Sequence, residues 1–145
     1  MNELLSLPVE ACLELLRLND VGRMSVVVDG YPLVVPVNYR LVARNGEVWI
    51  VVRTRPGSVI DQDERRVGFQ IDGVDPVHRT GWSVLIRGVV HHDDGCLCPW
   101  REGEDPEPWM AIERDRWLLI HVRSVTGRQL HAPDIEWAFH ISGYL

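Results

Sequence analysis

The chain has 145 residues, 46% of them hydrophobic and 25% charged, with a net charge of -6. This length and balance suit one globular domain over 1–145 and exclude a disordered chain. The acidic charge argues against general binding to nucleic acid or an anionic membrane, and no apolar run approaches the ~20 residues of a membrane span.

Three cysteines, Cys12, Cys96 and Cys98, form an odd and sparse set. With no basic-then-apolar leader at the N-terminus, they fit a reducing cytoplasm better than a disulfide scaffold. Six tryptophans suit a core, a dimer interface or a planar ligand.

Pro8 to Leu18 reads as a helix, with Val9, Cys12, Leu13 and Leu16 in an apolar stripe and proline in its first turn. It is short enough to plug one end of a sheet or barrel. Gly22 to Val28 is the first predicted strand, followed by the hairpin dipeptide Asp29-Gly30 and a second strand over Tyr31 to Leu41. Pro32 and Pro36 cannot donate to a ladder, so this strand is expected at an edge or at a bulge. Asn45-Gly46 is a second hairpin signal before the strand Val48 to Val52.

That strand runs into Arg53-Thr54-Arg55-Pro56-Gly57-Ser58. Proline and glycine break the strand, and Ser58 can cap a short helix over Val59 to Gln62. Two guanidiniums, two hydroxyls and a tight turn suit a phosphate. The alternative is a solvated turn whose arginines pair with surface carboxylates.

Further strands are predicted over Val67 to Asp72, over Trp82 to His91 with a possible bulge at Gly88, and over Arg116 to Arg123. Asp72 to Thr80 reads as a polar loop, and His92 to Met110 as a surface excursion with one helical turn near Met110-Ala111-Ile112. Ser124 to Arg128 reads as a turn leading to a short strand or tail. The expected fold class is mainly β: a small barrel of six to seven antiparallel strands with few helices.

The run from His91 to Cys98 contains imidazole and thiol groups, but Cys-x-Cys lacks the usual zinc spacing and no second pair exists, so no metal site is expected. No nucleophile elbow, phosphate-binding loop or dinucleotide fingerprint is present. Asn38, beside a proline-interrupted strand, offers a donor and an acceptor to a ligand edge. Trp82, after Gly81, can lie against a flat ligand or serve the core.

Five ordered segments carry a resemblance: Asp20-Val21-Gly22-Arg23, Pro36-Val37-Asn38-Tyr39, Arg53 to Ser58, Gly81 to Gly88, and Ser124-Val125-Thr126-Gly127-Arg128. Together they resemble the pyridoxamine 5'-phosphate oxidase-like family, in particular its actinobacterial flavin-nucleotide-binding branch, from about Pro8 to Leu130. The resemblance implies a split β-barrel that binds FMN as a homodimer, with two flavins at the subunit interface. It implies that Arg53, Thr54, Gly57 and Ser58 lie at the phosphate and ribityl chain. Val37, Asn38 and Tyr39 would line the isoalloxazine edge, Trp82 and Ser83 would belong to the same pocket, and Arg128 would reach it from the partner subunit.

One position departs from the pattern: Val59 stands where relatives commonly carry a lysine that pairs with the phosphate. The expectation is an FMN-dependent oxidoreductase acting on a small-molecule redox substrate, with no residue marked as general acid or base. The alternatives are a non-catalytic flavin- or cofactor-binding barrel with weakened FMN affinity, and a structural dimer with an empty cleft. Deazaflavin, haem and pyridoxal phosphate stand behind FMN as ligands.

Overall fold

A computed structural model describes residues 3–93 and 116–131. Its elements are β1 (Glu3–Leu7), α1 (Val9–Leu18), β2 (Val21–Val28), β3 (Tyr31–Arg44), β4 (Glu47–Thr54), β5 (Arg65–Asp75), β6 (Thr80–His92) and β7 (Arg116–His131). All described strand pairs are antiparallel, in the order β1-β7-β4-β3-β2-β5-β6, and a β6–β7 pairing closes the ring. This is the split barrel.

Local chemistry sets the meander. Asp29, Gly30, Asn45 and Gly46 all have positive φ, as two-residue hairpin turns require, and each turn fixes its register at Val28–Tyr31 and Arg44–Glu47. Alternation from the Val28–Tyr31 closing pair places Pro32 and Pro36 in non-hydrogen-bonded pairs with β2. Their missing N–H groups therefore face away from β2. On that side β3 pairs with β4 only from Tyr39 onward, so among the described residues Tyr31–Asn38 is a free edge, as the prolines predict.

The interior is filled by alternate residues of six strands, including Met24, Phe69, Ile71, Val84, Ile86, Leu118 and Ile120. Helix α1 inserts Cys12, Leu15 and Leu16 into this core. The last turn of the helix is tied down at two carbonyls that have no partner within it. Asn19 Nδ2 donates to Leu15 O at 2.7 Å, and Tyr39 OH donates to Leu16 O at 2.7 Å.

Two expectations are corrected, and one strand has no counterpart among the predicted elements. Glu3–Leu7 is a strand, held by backbone pairing with Gly127–His131 of β7 and mostly exposed, so no buried face marked it in the sequence. Val59–Gln62 forms turns, not a helix. Ser124–Arg128 is not a turn: β7 runs through it because β6 pairs with it along nearly its whole length. The predicted irregularity at Gly88 is present, since Arg87 pairs with Ser124 and Gly88 with Val122, leaving Arg123 as an extra residue. The excursion with Cys96 and Cys98, the turn near Met110 and the tail beyond His131 lie outside the described residues.

Candidate functional site

The end of β4 and the turn after it build a cleft against the free edge of β3. Its volume is about 300 Å³, and its walls are Val35, Pro36, Val37, Thr54, Arg55, Ser58, Val59 and Ile60. Arg55-Pro56-Gly57-Ser58 closes with Ser58 N donating to Arg55 O at 3.1 Å, and Gly57 has φ +79°. Proline second and a positive-φ glycine third are the residues of a type II turn. The turn brings Ser58 Oγ to 2.8 Å from Thr54 Oγ1, so the two hydroxyls face the cleft as a pair.

The turn is locked from below by Asp61. Its Oδ2 accepts from Gly57 N at 2.7 Å. Its Oδ1 lies 2.7 Å from His92 Nε2 and 3.5 Å from Arg116 Nε. A carboxylate thus already occupies the Gly57 amide. The remaining donors of the cleft are the two hydroxyls and the guanidinium of Arg55.

The expected site residues divide among five places. Val37, Thr54 and Ser58 line this cleft, and Gly57 shapes its turn. Arg53 lies on the opposite face of β4 from Thr54, with its guanidinium 5.0 Å over the Trp117 ring. Tyr39 is fully buried, packs edge-on to Phe69 and bonds to the helix. Burial, reinforced by the Asp20 carboxylate, holds its phenol well above the ordinary tyrosine range. Asn38 is half-buried in the β2–β3 ladder beside Val21.

Trp82, Ser83 and Arg128 line a separate cavity of about 540 Å³ near the β5–β6 hairpin, with Leu4, Val74 and Thr80. Thr80 Oγ1 is buried there with no hydrogen-bond partner among the described residues. Within one chain these residues and the Thr54–Ser58 cleft form two separate surfaces.

The sequence offered Arg55 with Arg53 as a pair of guanidiniums for a phosphate, and it did not mark Asp61. Arg53 and Arg55 flank Thr54, and strand alternation puts Arg53 and Thr54 on opposite faces. The signal for Asp61 was a carboxylate four residues after a turn glycine. Among the described residues no group of three or more His, Cys, Asp or Glu side chains could hold a metal, and no helix is long and apolar enough to cross a membrane.

A split barrel with a hydroxyl-lined turn at the free edge of its proline-bearing strand defines a class of small cleft-bearing barrel proteins. Residues 8–129 match the pyridoxamine 5'-phosphate oxidase family, and the chain belongs to it. It is 28% identical over 149 aligned residues to the uncharacterized protein Rv0080 of Mycobacterium tuberculosis, covering 91% of this chain and 89% of that protein. It resembles the solved FAD binding protein from Mycobacterium smegmatis at 27% identity and a TM-score of 0.66, covering 86% of this chain and 98% of that one. It also shares its fold with a FAD-binding protein from Mesorhizobium loti, at 22% identity and a TM-score of 0.69, over 91% of this chain and 100% of that one.

Proposed function

We propose that this chain is a flavin-binding oxidoreductase that holds FMN at the Thr54–Ser58 turn and acts, as a homodimer in the cytoplasm, on a small-molecule redox substrate. One observation carries the reading: the Thr54–Ser58 hydroxyl pair at 2.8 Å, under Arg55, opens onto the free edge of β3. Likeness to the Mycobacterium smegmatis FAD binding protein supports a flavin as the ligand.

Hydroxyls and a guanidinium suit the oxygens of one phosphate group. The carbonyls of Pro32 and Pro36 on the free edge suit the polar rim of a flat ring, and Val37 suits its apolar body. A bound flavin supplies the electron or hydride transfer. The chain supplies the phosphate donors, the ring edge and a cleft that excludes water.

The separation of the two surfaces supports dimerisation. Trp82, Ser83 and Arg128 can complete a flavin site only if a partner presents them to the Thr54–Ser58 cleft. Tyr31 and Val34 on the free edge are 70% and 62% exposed, and Val74 beside the second cavity is 69% exposed. Apolar side chains at that exposure suit contact with a second copy.

A non-catalytic flavin-binding barrel is the second reading, and Asp61 and Val59 favour it. The Asp61 carboxylate sits under the turn and Val59 replaces a cation, so both weaken the attraction for a phosphate.

The test is an absorbance spectrum of the purified protein, then calorimetric titration of the apo form with FMN and with FAD. Saturable FMN binding at low micromolar concentration or better, in a protein that elutes as a dimer, supports the proposal. Tighter binding of FAD reassigns the flavin. Turnover with nicotinamide donors separates the oxidoreductase from the binding protein. Indifference to both flavins overturns the reading.

A further inference from the structure

On the outer face of the barrel, away from the Thr54–Ser58 cleft, β2, β5, β6 and β7 frame a groove of about 560 Å³. Arg66, Arg87 and Arg123 line it, together with Val27, Leu85 and Val89, and among the described residues no carboxylate does. The chain as a whole carries 21 acidic residues against 15 lysines and arginines, so three arginines in one groove with no acid oppose the overall charge.

The register explains how they meet. Arg87 of β6 pairs with Gly68 of β5, and Arg66 lies two residues along the same face. Side chains in that diagonal relation are neighbours. Arg87 also pairs with Ser124 of β7, and the next pair is Gly88 with Val122. Val122 and Val125 pack against the core, so the extra residue Arg123 and its neighbour Ser124 both turn outward. The bulge is what puts Arg123 on the face of Arg87. Gly68 removes a side chain from the middle of the row and leaves the floor of the groove open.

None of the three arginines forms an ion pair or hydrogen bond with a described residue. Three guanidiniums without a partner among the described residues repel one another on neighbouring strands, and no described carboxylate compensates. A phosphate would: guanidinium forks match its oxygens in bidentate geometry. The valine and leucine walls suit a ring attached to it.

We propose that this groove is a second ligand site, independent of the flavin cleft, that takes an organic phosphate of nucleotide size through Arg66, Arg87 and Arg123. The reading does not depend on flavin binding.

The test is calorimetric titration of the full chain with ADP, pyrophosphate and adenosine, with and without saturating FMN. ADP is expected to bind more tightly than pyrophosphate, adenosine not at all, and ADP affinity should fall as salt rises. Arg87→Ala and Arg123→Ala should each weaken ADP at least tenfold and leave FMN affinity and oligomeric state unchanged. Gly68→Leu keeps the three charges but fills the floor. A Cβ there comes within 3.4 Å of Ser25 Cβ, a contact the fold can accommodate, so ADP binding should be lost from a protein that still unfolds cooperatively. The proposal is overturned if ADP does not bind at millimolar concentration, if the arginine variants bind it as well as the parent, or if FMN displaces it. A change in oligomeric state in Arg87→Ala, with no ADP binding to the parent, also overturns it and makes the groove a subunit contact.

Discussion

Thr54 Oγ1 and Ser58 Oγ lie 2.8 Å apart, brought together across three residues by a type II turn. Thr54 is buried at the end of β4, and Ser58 is the turn's closing residue. Each hydroxyl orients the other, which leaves a lone pair or a proton free for a ligand in the cleft. Ser58→Ala is expected to weaken FMN about tenfold, since one hydrogen bond to a charged group contributes about 1.5 kcal/mol or more. Thr54→Val should do the same. If the two hydroxyls act as a pair, the double variant loses less than the sum, which a double-mutant cycle by calorimetry measures. Arg53→Ala should leave FMN affinity within about twofold, because that guanidinium stacks on Trp117.

Charge in the turn can be changed in two ways. Val59 lines the cleft and is half-exposed, so Val59→Lys introduces an ammonium without disturbing the core. FMN affinity should rise by about 1–3 kcal/mol, or roughly 5- to 150-fold. Asp61→Asn keeps an acceptor for Gly57 N but removes the negative charge below the turn. It should also tighten FMN, while loosening the link to His92 and Arg116. If Val59→Lys gives no gain, the phosphate does not sit beside this turn.

Tyr39 is a fold residue. Its hydroxyl satisfies Leu16 O at the helix end, so Tyr39→Phe leaves a buried carbonyl unpaired and should cost about 1–3 kcal/mol in denaturant unfolding. The pH dependence has a definite sign. The phenol is raised in the folded state, first by burial and then by Asp20. The folded protein therefore holds this proton more tightly than the unfolded chain does. That stabilisation is complete below the unfolded value of about 10 and is lost progressively as pH rises above it. Ultraviolet titration of the native protein should show Tyr39 ionising only on unfolding.

The meander was legible in the sequence because its signals are local. Asp29-Gly30 and Asn45-Gly46 have the residues a positive-φ turn demands, and the prolines of β3 marked its free edge correctly. The cleft was half legible: Thr54, Gly57 and Ser58 share one turn, whereas the side on which each arginine falls depends on where β4 ends. The family resemblance of Pro36-Val37-Asn38-Tyr39 implied a ligand contact for Tyr39. Its inward direction is set by the helix beneath it, which local pattern does not reveal. Long-range pairing was the least legible. The β1–β7 ladder joins Glu3 to His131, and the meeting of Arg87 with Arg123 requires a bulge between strands far apart in sequence.

Gly127 tests that long-range packing directly. It lies within β7, paired with Leu7 of β1 and Val84 of β6, and helix α1 rests on it. A Cβ at this position would come within 2.5 Å of Cys12 Sγ and 3.2 Å of Leu7 Cβ. Neither neighbour can withdraw easily, because Cys12 is fully buried. Gly127→Ala is therefore expected to cost about 1–3 kcal/mol through overpacking, measured as a lowered denaturation midpoint with unchanged slope. Cys12→Ala removes the sulfur and should lose stability alone, yet it should restore part of the loss when combined with Gly127→Ala. Additive losses in the double variant would mean that the helix does not seat on this glycine. The same burial raises the Cys12 thiol above its ordinary value, so peptide mapping should find Cys12 unmodified by iodoacetamide in the native protein at neutral pH and modified after unfolding.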